Sequence, residues 1–227
     1  MCAKNPNLIP DFKAAIFDMD GTVLDSMPYW YNIGDMYLEK LGIKPEPGLG
    51  AIMQPMGLSE GAQYLRNNYG VNKTDEQIIE GIRETVLDSF KFHIQPKPHV
   101  IEFLEELKKA GIPMALATAT DENMFSPAFK RLGLFRFFDH ILTCSQYKTT
   151  KNEPLLFLKA AELLNSKPEE IFVFEDAAHA ITTAFKAGFK TAGIQDDSAE
   201  QEKEKVKANS TIYFNNYIEA KEYFFGL

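Results

Sequence analysis

A short apolar run that ends in two aspartates constrains this chain more than any other stretch. Residues 14–17 read AAIF and are followed by DMDGT at residues 18–22. The run is typical of a buried strand, so Asp18 and Asp20 would lie at its carboxyl end, where open α/β sheets bind their ligands. Two like charges this close resist ionising together unless a cation neutralises them, and carboxylate oxygens are ligands that Mg²⁺ prefers. An ordinary strand end followed by an Asp-Gly turn is the alternative.

Beyond residue 95 the sequence alternates between short apolar segments and amphipathic segments. Together with residues 13–17, the apolar segments predict strands at 113–118, 140–143, 171–174, 191–194 and 211–214. The segments between them predict helices at 99–110, 126–132, 154–164, 177–187 and 200–207, with a last helical turn after the final strand. Strands that alternate with helices indicate an α/β fold with a doubly wound parallel sheet, similar to a Rossmann core.

The block between the first strand and residue 95 shows no strand pattern. Pro28 behind Ser26 predicts a helix to about residue 41, residues 44–50 predict a loop, and a second helix is expected at 59–69. Thr74 and Gln77 form a capping box that opens a third helix to about residue 92. We therefore predict two domains: a Rossmann-like core of residues 1–26 and 95–227, and a small all-helical domain of residues 27–94 inserted after the first strand.

Composition and charge narrow the range of partners. The chain has 227 residues, and its formal charge of -8 argues against nucleic acid and anionic membrane surfaces as partners. Cys2 and Cys144 have no metal-binding or redox spacing, and Cys144 is expected to be a buried thiol in a strand-like run. The first dozen residues, with Pro6 and Pro10, show no signal pattern, and no apolar run approaches the ~20 residues that a membrane span needs. We expect a cytoplasmic protein that is a monomer or a weak dimer.

Each later strand end carries a group suited to phosphate or metal binding. Thr118 ends the second strand, Lys151 precedes the helix after the third, and Glu175 and Asp176 end the fourth. Because parallel strands point the same way, these groups converge with the two aspartates in one crevice. Singly, each group also has an ordinary explanation as a turn residue, a surface charge or a helix cap. Together, the carboxylates, the lysine and the hydroxyl predict a metal-assisted phosphate site.

The ordered set of these groups resembles a known family. The DMDGT stretch, Thr118, Lys151 and the pair Glu175-Asp176 resemble, in this order, the four motifs of the haloacid dehalogenase superfamily. The inserted helical block resembles the cap of the branch that contains sugar-phosphate phosphatases and β-phosphoglucomutase. The resemblance extends from about residue 13 to the last helix, and it implies an α/β core with a helical cap.

The resemblance implies a nucleophile, an acid/base and a metal site. Asp18 would attack phosphorus and form an aspartyl-phosphate, and Asp20 would protonate the leaving oxygen and then activate water. Asp18, the main-chain carbonyl of Asp20, and Asp176 would hold Mg²⁺. Glu175 would stand behind these ligands or serve as an auxiliary one. A carboxylate attacks a phosphate dianion slowly because their charges repel, which is why such a site needs positive charge.

The resemblance also implies a phosphate-binding set, with some departures from the family pattern. The Thr118 hydroxyl and the Ala119 N–H would hold the phosphoryl oxygens, and Lys151 would neutralise charge. The chain has Pro98-His99 where a Pro-Gly is usual, and His179 stands near the fourth motif, where we expect it on a helix face rather than in the site. None of these departures removes a catalytic group.

The choice between phosphatase and mutase depends on two positions. Hexose-phosphate mutases of this branch carry a His where this chain has Trp30, and a cap Arg for the second phosphate, whereas residues 56–61 contain no Arg. We therefore predict an Mg²⁺-dependent phosphomonoester hydrolase that acts on a small phosphorylated metabolite, a sugar phosphate, through an aspartyl-phosphate. One alternative is a β-phosphoglucomutase-like phosphosugar mutase. The other is a non-catalytic phosphate-binding or signalling module, and the presence of Asp20 argues against this second alternative.

Several residues of the inserted block fit either a substrate pocket or the core of a small helical bundle, and the bundle core is the preferred interpretation. They are Met27, Tyr29, Trp30, Tyr31, Met53 and Met56. Arg66 and Lys97 are further candidates for substrate contact on their charge alone.

Overall fold

Six parallel strands form one sheet in the order β3-β2-β1-β4-β5-β6. The structure, a computed structural model, describes residues 12–227 except for the side chain of Ala199, so Cys2 and the predicted lead-in with Pro6 and Pro10 lie outside the described residues. The strands are β1 (Ala14–Phe17), β2 (Met114–Thr118), β3 (His140–Thr143), β4 (Ile171–Glu175), β5 (Lys190–Ile194) and β6 (Ile212–Phe214). Every residue of β1, β2 and β4 is buried, which explains why these strands are continuously apolar almost to their ends. The predicted parallel α/β sheet is confirmed.

The helices that the structure describes are numbered in chain order. They are α1 (Met27–Tyr31), α2 (Ile33–Lys40), α3 (Leu49–Met53), α4 (Leu58–Tyr69), α5 (Asp75–Phe92), α6 (Val100–Lys109), α7 (Glu122–Leu132), α8 (Cys144–Tyr147), α9 (Leu155–Leu163), α10 (Ala178–Lys186), α11 (Lys203–Ala208) and α12 (Tyr217–Phe225). Among the described residues, none of these helices combines the length and the apolar character that crossing a membrane requires.

The chain folds into two compact units. The first contains the described residues up to Asp25 together with Gln95–Leu227, and the second is Ser26–Ile94. Within the first unit, the segments before and after the insertion are paired. The Asp25 N–H donates to the Gln95 carbonyl (2.9 Å), the Lys97 N–H donates to the Val23 carbonyl (2.9 Å), and the pair runs antiparallel. That the second unit serves as a cap stays a prediction.

Aromatic packing holds the centre of the first unit. Phe17 of β1 stacks on Phe174 of β4 with ring centroids 4.4 Å apart, and Phe103 of α6 meets both rings. Phe224 of α12 packs against Phe174 from the C-terminal end of the chain. Such contacts stabilise beyond the area that they bury, by about 0.5–1.5 kcal/mol each. They fix β1 against β4, so the residues that follow these strands are held side by side.

The second unit is a helical bundle with its own apolar core. The predicted capping box opens α5: the Gln77 N–H donates to the Thr74 hydroxyl (3.3 Å), and the Thr74 N–H donates to the Gln77 side chain (3.0 Å). Tyr37 of α2 is buried against α5 at Gly81, where an added Cβ would lie 2.4 Å from the Tyr37 ring. Glycine therefore sets the closest approach of these two helices.

Two predicted elements of the second unit were wrong in detail. The helix predicted from Pro28 is broken into α1 and α2 at Asn32, which leaves helical geometry at φ -96° and ψ 19°; the Pro28 carbonyl accepts both the Asn32 N–H (3.1 Å) and the Asn32 side chain (2.8 Å). Ser26 makes no side-chain capping bond. The predicted loop 44–50 overlaps α3, which begins after Gly48 at φ 88°.

Differences in the first unit are mostly at element ends. α7 begins four residues before its predicted start and includes Pro127, with Asp121 at the N-cap position. Cys144 opens the short helix α8 rather than lying in a strand, although it is buried as expected. The charged helix predicted at 200–207 is a 3-10 turn, Asp197–Glu202, followed by α11. The last helical turn is the nine-residue helix α12.

Candidate active site

The end of β1 places Asp18 beside β4. The Asp18 N–H donates to the Phe174 carbonyl (2.9 Å), which continues the β1–β4 pairing by one residue. The chain then turns sharply: the Leu24 N–H donates to the Met19 carbonyl (2.8 Å), and Gly21 adopts φ 78°, a conformation that glycine adopts without strain. The turn holds the chain between Asp18 and Leu24 at the carboxyl edge of the sheet.

Lys151 joins carboxylates from two strand ends. Its ammonium contacts Asp18 Oδ1 and lies 2.7 Å from Glu175 Oε1, and the three side chains are at most 7% exposed. The second Glu175 oxygen accepts the Ala177 N–H (2.8 Å), so both oxygens of this carboxylate are engaged. Lys151 lies between α8 and α9, before α9 as the sequence predicts, and its side chain links this segment to the ends of β1 and β4.

Three buried carboxylates meet next to this lysine. Asp18, Glu175 and Asp176 each offer an oxygen, and these oxygens all lie within 4.8 Å of one another. Asp176 Oδ1 also accepts the Thr22 hydroxyl (3.0 Å), and the Tyr217 hydroxyl donates to the Thr22 carbonyl (3.0 Å). Asp176 is thus tied to the turn that follows β1.

The electrostatics of the cluster favour a bound cation. Burial raises the pKa of the Asp18 carboxyl to about 8; the ammonium of Lys151 opposes this rise, and the carboxylates of Glu175 and Asp20 add to it. Burial and Glu175 also raise the pKa of Asp176 well above its usual range. One ammonium cannot neutralise three carboxylates, and their oxygens are hard ligands. The donor set therefore fits Mg²⁺.

Asp20 occupies a different part of the edge. Its carboxylate is not among the three clustered ones; its Oδ2 instead accepts the Thr120 hydroxyl (2.6 Å). Thr120 also donates its N–H to the hydroxyl oxygen of Thr118 (3.0 Å), which is fully buried at the end of β2. Ala119 lies between these threonines and is exposed. The hydroxyl of Thr118 accepts one bond and keeps its own proton for donation.

The sequence placed Thr120 and Thr22 within two of the motif stretches but gave neither a role of its own, although both contact predicted site residues. The only signal for Thr120 was a second threonine two residues after Thr118, and Thr22 belongs to the DMDGT stretch. Their partners lie 100 and 154 residues away in the chain, and local patterns do not reveal such contacts.

Other candidates from the sequence lie outside the cluster. His179 lies on α10, as expected, and its side chain is exposed. Lys97 and Arg66 are each engaged with a carboxylate, Asp196 at 2.6 Å and Asp75 at 2.7 Å respectively.

Cys144, Met53 and Trp30 also have surroundings that favour a structural role over a role in the site. Burial raises the pKa of the Cys144 thiol, which does not favour a nucleophilic thiolate. In the second unit, Met53 packs against the bundle core, and Trp30 meets Phe90 edge-on at 6.3 Å. These contacts agree with the bundle-core interpretation of Met53 and Trp30.

Comparison with known proteins places this geometry in a family. The family model described as "Haloacid dehalogenase-like hydrolase" matches residues 15–194. A phosphorylated carbohydrates phosphatase of Thermotoga maritima is 29% identical over 178 residues, which are 78% of this chain and 82% of the relative. A phosphoglycolate phosphatase of Neisseria meningitidis is 28% identical over 193 residues, which are 82% of this chain and 81% of the relative.

The fold is shared with solved structures. A Thermotoga maritima protein provisionally described as a β-phosphoglucomutase superposes with a TM-score of 0.80 at 25% identity, covering 94% of this chain and 97% of that one. The names of the relatives agree with the predicted enzyme class, a phosphatase of the haloacid dehalogenase type. The resemblance found in the motifs is confirmed over most of the chain: the protein belongs to the haloacid dehalogenase-like hydrolase family.

Proposed function

We propose that this protein is an Mg²⁺-dependent phosphomonoester hydrolase that acts on a small phosphorylated carbohydrate through an aspartyl-phosphate. The buried group of Asp18, Lys151, Glu175 and Asp176 carries the proposal, because it combines a carboxylate nucleophile with a fixed positive charge and a set of metal ligands. The relatives named as phosphatases support the reaction class.

In the first step, an Asp18 oxygen attacks phosphorus and the bond between phosphorus and the ester oxygen breaks. The electron pair of that bond stays with the leaving oxygen, which takes a proton from Asp20. Lys151 offsets negative charge at Asp18, and the Thr118 hydroxyl and the Ala119 N–H hold the phosphoryl oxygens. Asp18, the main-chain carbonyl of Asp20, and Asp176 would hold Mg²⁺. The bound ion would offset the negative charge on the phosphoryl oxygens.

In the second step, water releases the phosphoryl group. Asp20, now ionised, takes a proton from the water as its oxygen attacks phosphorus. The bond between phosphorus and Asp18 breaks, inorganic phosphate leaves, and both aspartates return to their starting states. One carboxyl group can serve as acid and then as base because each step restores the form that the other needs.

The mutase alternative is less favoured. A mutase must hold a second phosphate, and residues 56–61 offer no arginine for it. Trp30 stands where the mutases carry a histidine, and its ring packs on Phe90. A non-catalytic phosphate-binding module would have no use for Asp20. We expect the enzyme to work in the cytoplasm as a monomer or a weak dimer, without nucleic acid or membrane partners, in keeping with its charge of -8.

The test is phosphate release from a panel of sugar phosphates, phosphoglycolate and an aryl phosphate, with Mg²⁺ or with EDTA. We expect turnover that requires Mg²⁺ and is lost in Asp18→Asn and Asp20→Asn. Asp88→Asn is the matched control, because Asp88 is 44% exposed on α5 and should leave turnover unchanged. Interconversion of hexose phosphates without phosphate release would favour the mutase, and neither activity in the folded protein would refute the proposal.

A further inference from the structure

Thr120 connects two predicted site residues that come from different strand ends. Its N–H donates to Thr118 Oγ1 at 3.0 Å, and its hydroxyl donates to Asp20 Oδ2 at 2.6 Å. The residue is partly buried and lies in the loop between β2 and α7. One residue therefore orients both the hydroxyl proposed to hold phosphate and the carboxyl group proposed to move the proton.

The backbone around Asp20 is held by a tight turn, and the rotation of the side chain decides where its carboxyl group points. Asp20 forms a bridge with Leu24, and the Gly21 N–H donates to the Leu24 carbonyl (2.9 Å). A hydrogen bond to Oδ2 sets the rotation of the carboxyl group about the Cβ–Cγ bond, and with it the direction of the other oxygen. An acid must lie within hydrogen-bond reach of the atom that it protonates, and small misplacements lower the rate strongly.

We propose that Thr120 is the positioning residue for the acid/base Asp20. Its hydroxyl holds Oδ2, so that the Asp20 proton resides on Oδ1 and is presented to the leaving oxygen. When the ester bond breaks, its electron pair goes to the leaving oxygen, which takes that proton. The Thr120 hydroxyl then stabilises the carboxylate that remains. This inference rests on the proposed phosphatase function and adds a residue that acts through Asp20 rather than on the substrate.

The leaving group separates this role from a structural one. An alkoxide needs a proton as it leaves, whereas p-nitrophenolate is a weak base and leaves without one. The ratio kcat/KM reports only the steps up to the first irreversible one, which is formation of the phospho-enzyme. Comparing kcat/KM for a sugar phosphate and for p-nitrophenyl phosphate therefore isolates protonation of the leaving group.

The variants are Thr120→Val, which removes the hydroxyl but keeps the N–H to Thr118, and Thr120→Ser, which keeps both. With Mg²⁺ we expect Thr120→Val to lower kcat/KM for the sugar phosphate by about 100-fold, toward the effect of losing general acid catalysis, and for p-nitrophenyl phosphate by less than about threefold. Thr120→Ser should stay within about threefold of the wild type on both substrates. Asp20→Asn lacks the base of the second step and does not turn over, so its selectivity is compared in the burst of the first turnover, where it should match that of Thr120→Val.

The matched control is Thr182→Val. The Thr182 hydroxyl also donates over 2.6 Å, to the Ala178 carbonyl within α10, and it has no place in the proposed mechanism. This variant should leave both kcat/KM values unchanged. Far-UV circular dichroism and thermal unfolding verify that each variant is folded; if Thr120→Val does not fold, Thr120→Ala removes the same hydroxyl with a smaller side chain.

Two results would overturn the inference. Equal losses on both substrates would mean that Thr120 supports phosphate binding or the fold, and an unchanged Thr120→Val would mean that Asp20 is positioned without it. Failure of the proposed function gives a different result, since the wild type would then release no phosphate from either substrate.

Discussion

Replacing Lys97 by methionine would remove one half of a buried ion pair in the first unit. The Lys97 ammonium lies 2.6 Å from Asp196 Oδ2 and 3.1 Å from the Gln195 carbonyl, so it joins the segment that follows the insertion to the end of β5. The two side chains are 13% and 3% exposed. Methionine keeps much of the length of the side chain, but it leaves the Asp196 carboxylate with the N–H (2.9 Å) and the hydroxyl of Ser198 and without its lysine partner.

The expected loss of stability follows from the burial of this ion pair. Removing one partner from a buried pair costs about 3–5 kcal/mol, because the remaining charge is poorly solvated. Since the Lys97 side chain keeps 13% exposure, we expect the lower end, about 3 kcal/mol of unfolding free energy. For a chain of this size each kcal/mol shifts Tm by about 2–4 °C, so Tm should fall by about 6–12 °C. In the double variant Lys97→Met/Asp196→Asn the uncompensated charge is gone, and stability should partly return.

The assay is urea unfolding followed by far-UV circular dichroism. Fluorescence is unsuitable because Trp30 is the only tryptophan and belongs to the second unit. The control is Lys13→Met: Lys13 and Glu170 are also 2.6 Å apart, but 64% and 29% exposed, so their loss should cost at most about 1 kcal/mol. A Lys97→Met variant no less stable than Lys13→Met, or a double variant less stable than Lys97→Met, would refute the reasoning.

Three more predictions concern particular positions. Gly81→Ala should lower the free energy of unfolding by about 1–3 kcal/mol in urea titrations, because its Cβ would lie 2.4 Å from the Tyr37 ring; Gly61→Ala, where only a methionine tip lies at 3.1 Å, should cost less, and the reverse order would contradict this. His99→Gly should raise the free energy of unfolding by roughly 1 kcal/mol, because His99 adopts φ 63°, a conformation that glycine adopts without strain. Thermal unfolding should show a higher Tm for His99→Gly than for His99→Ala, and the reverse order would contradict this. Burial raises the folded-state pKa of Asp18 from 3.8 to about 8, so in EDTA stability should fall as pH rises through that range, by at most about 1.4 kcal/mol per pH unit for this group. Asp18→Asn should flatten the pH dependence measured by urea titration, and an unchanged slope would count against it.

The sheet and most of its helices could be predicted because their signals are local. β1 is four buried apolar residues followed by acids, and the capping box at Thr74 needs only four consecutive positions. The four motif positions could be aligned with strand ends for the same reason. The break at Asn32 was missed because it depends on the backbone conformation and side-chain rotation of one residue, whose amide reaches back to the Pro28 carbonyl beside its own N–H.

The hydrogen-bond partners within the site could not be predicted from the sequence, for a different reason. That Thr120 would bond to Asp20, or Thr22 to Asp176, depends on the register of strands far apart in the chain and on side-chain rotation. Lys97 was considered for substrate contact from its charge alone, whereas its partner Asp196 lies 99 residues further along. Residue type indicated which chemistry was present, while the pairing of these groups emerged only from the fold.

The pairing of the segments on either side of Ser26–Ile94 has a consequence for how such proteins can be altered. Since Asp25 bonds to Gln95 and Val23 to Lys97, the two ends of the inserted chain are already held as neighbours by the first unit. The entropy of closing a loop grows slowly with length, by about 0.6 kcal/mol for each doubling of a flexible insert. A longer, shorter or unrelated segment could therefore be grafted between Asp25 and Gln95 with little penalty from its length. The predicted reacting groups would be unaffected, because all of them belong to the first unit.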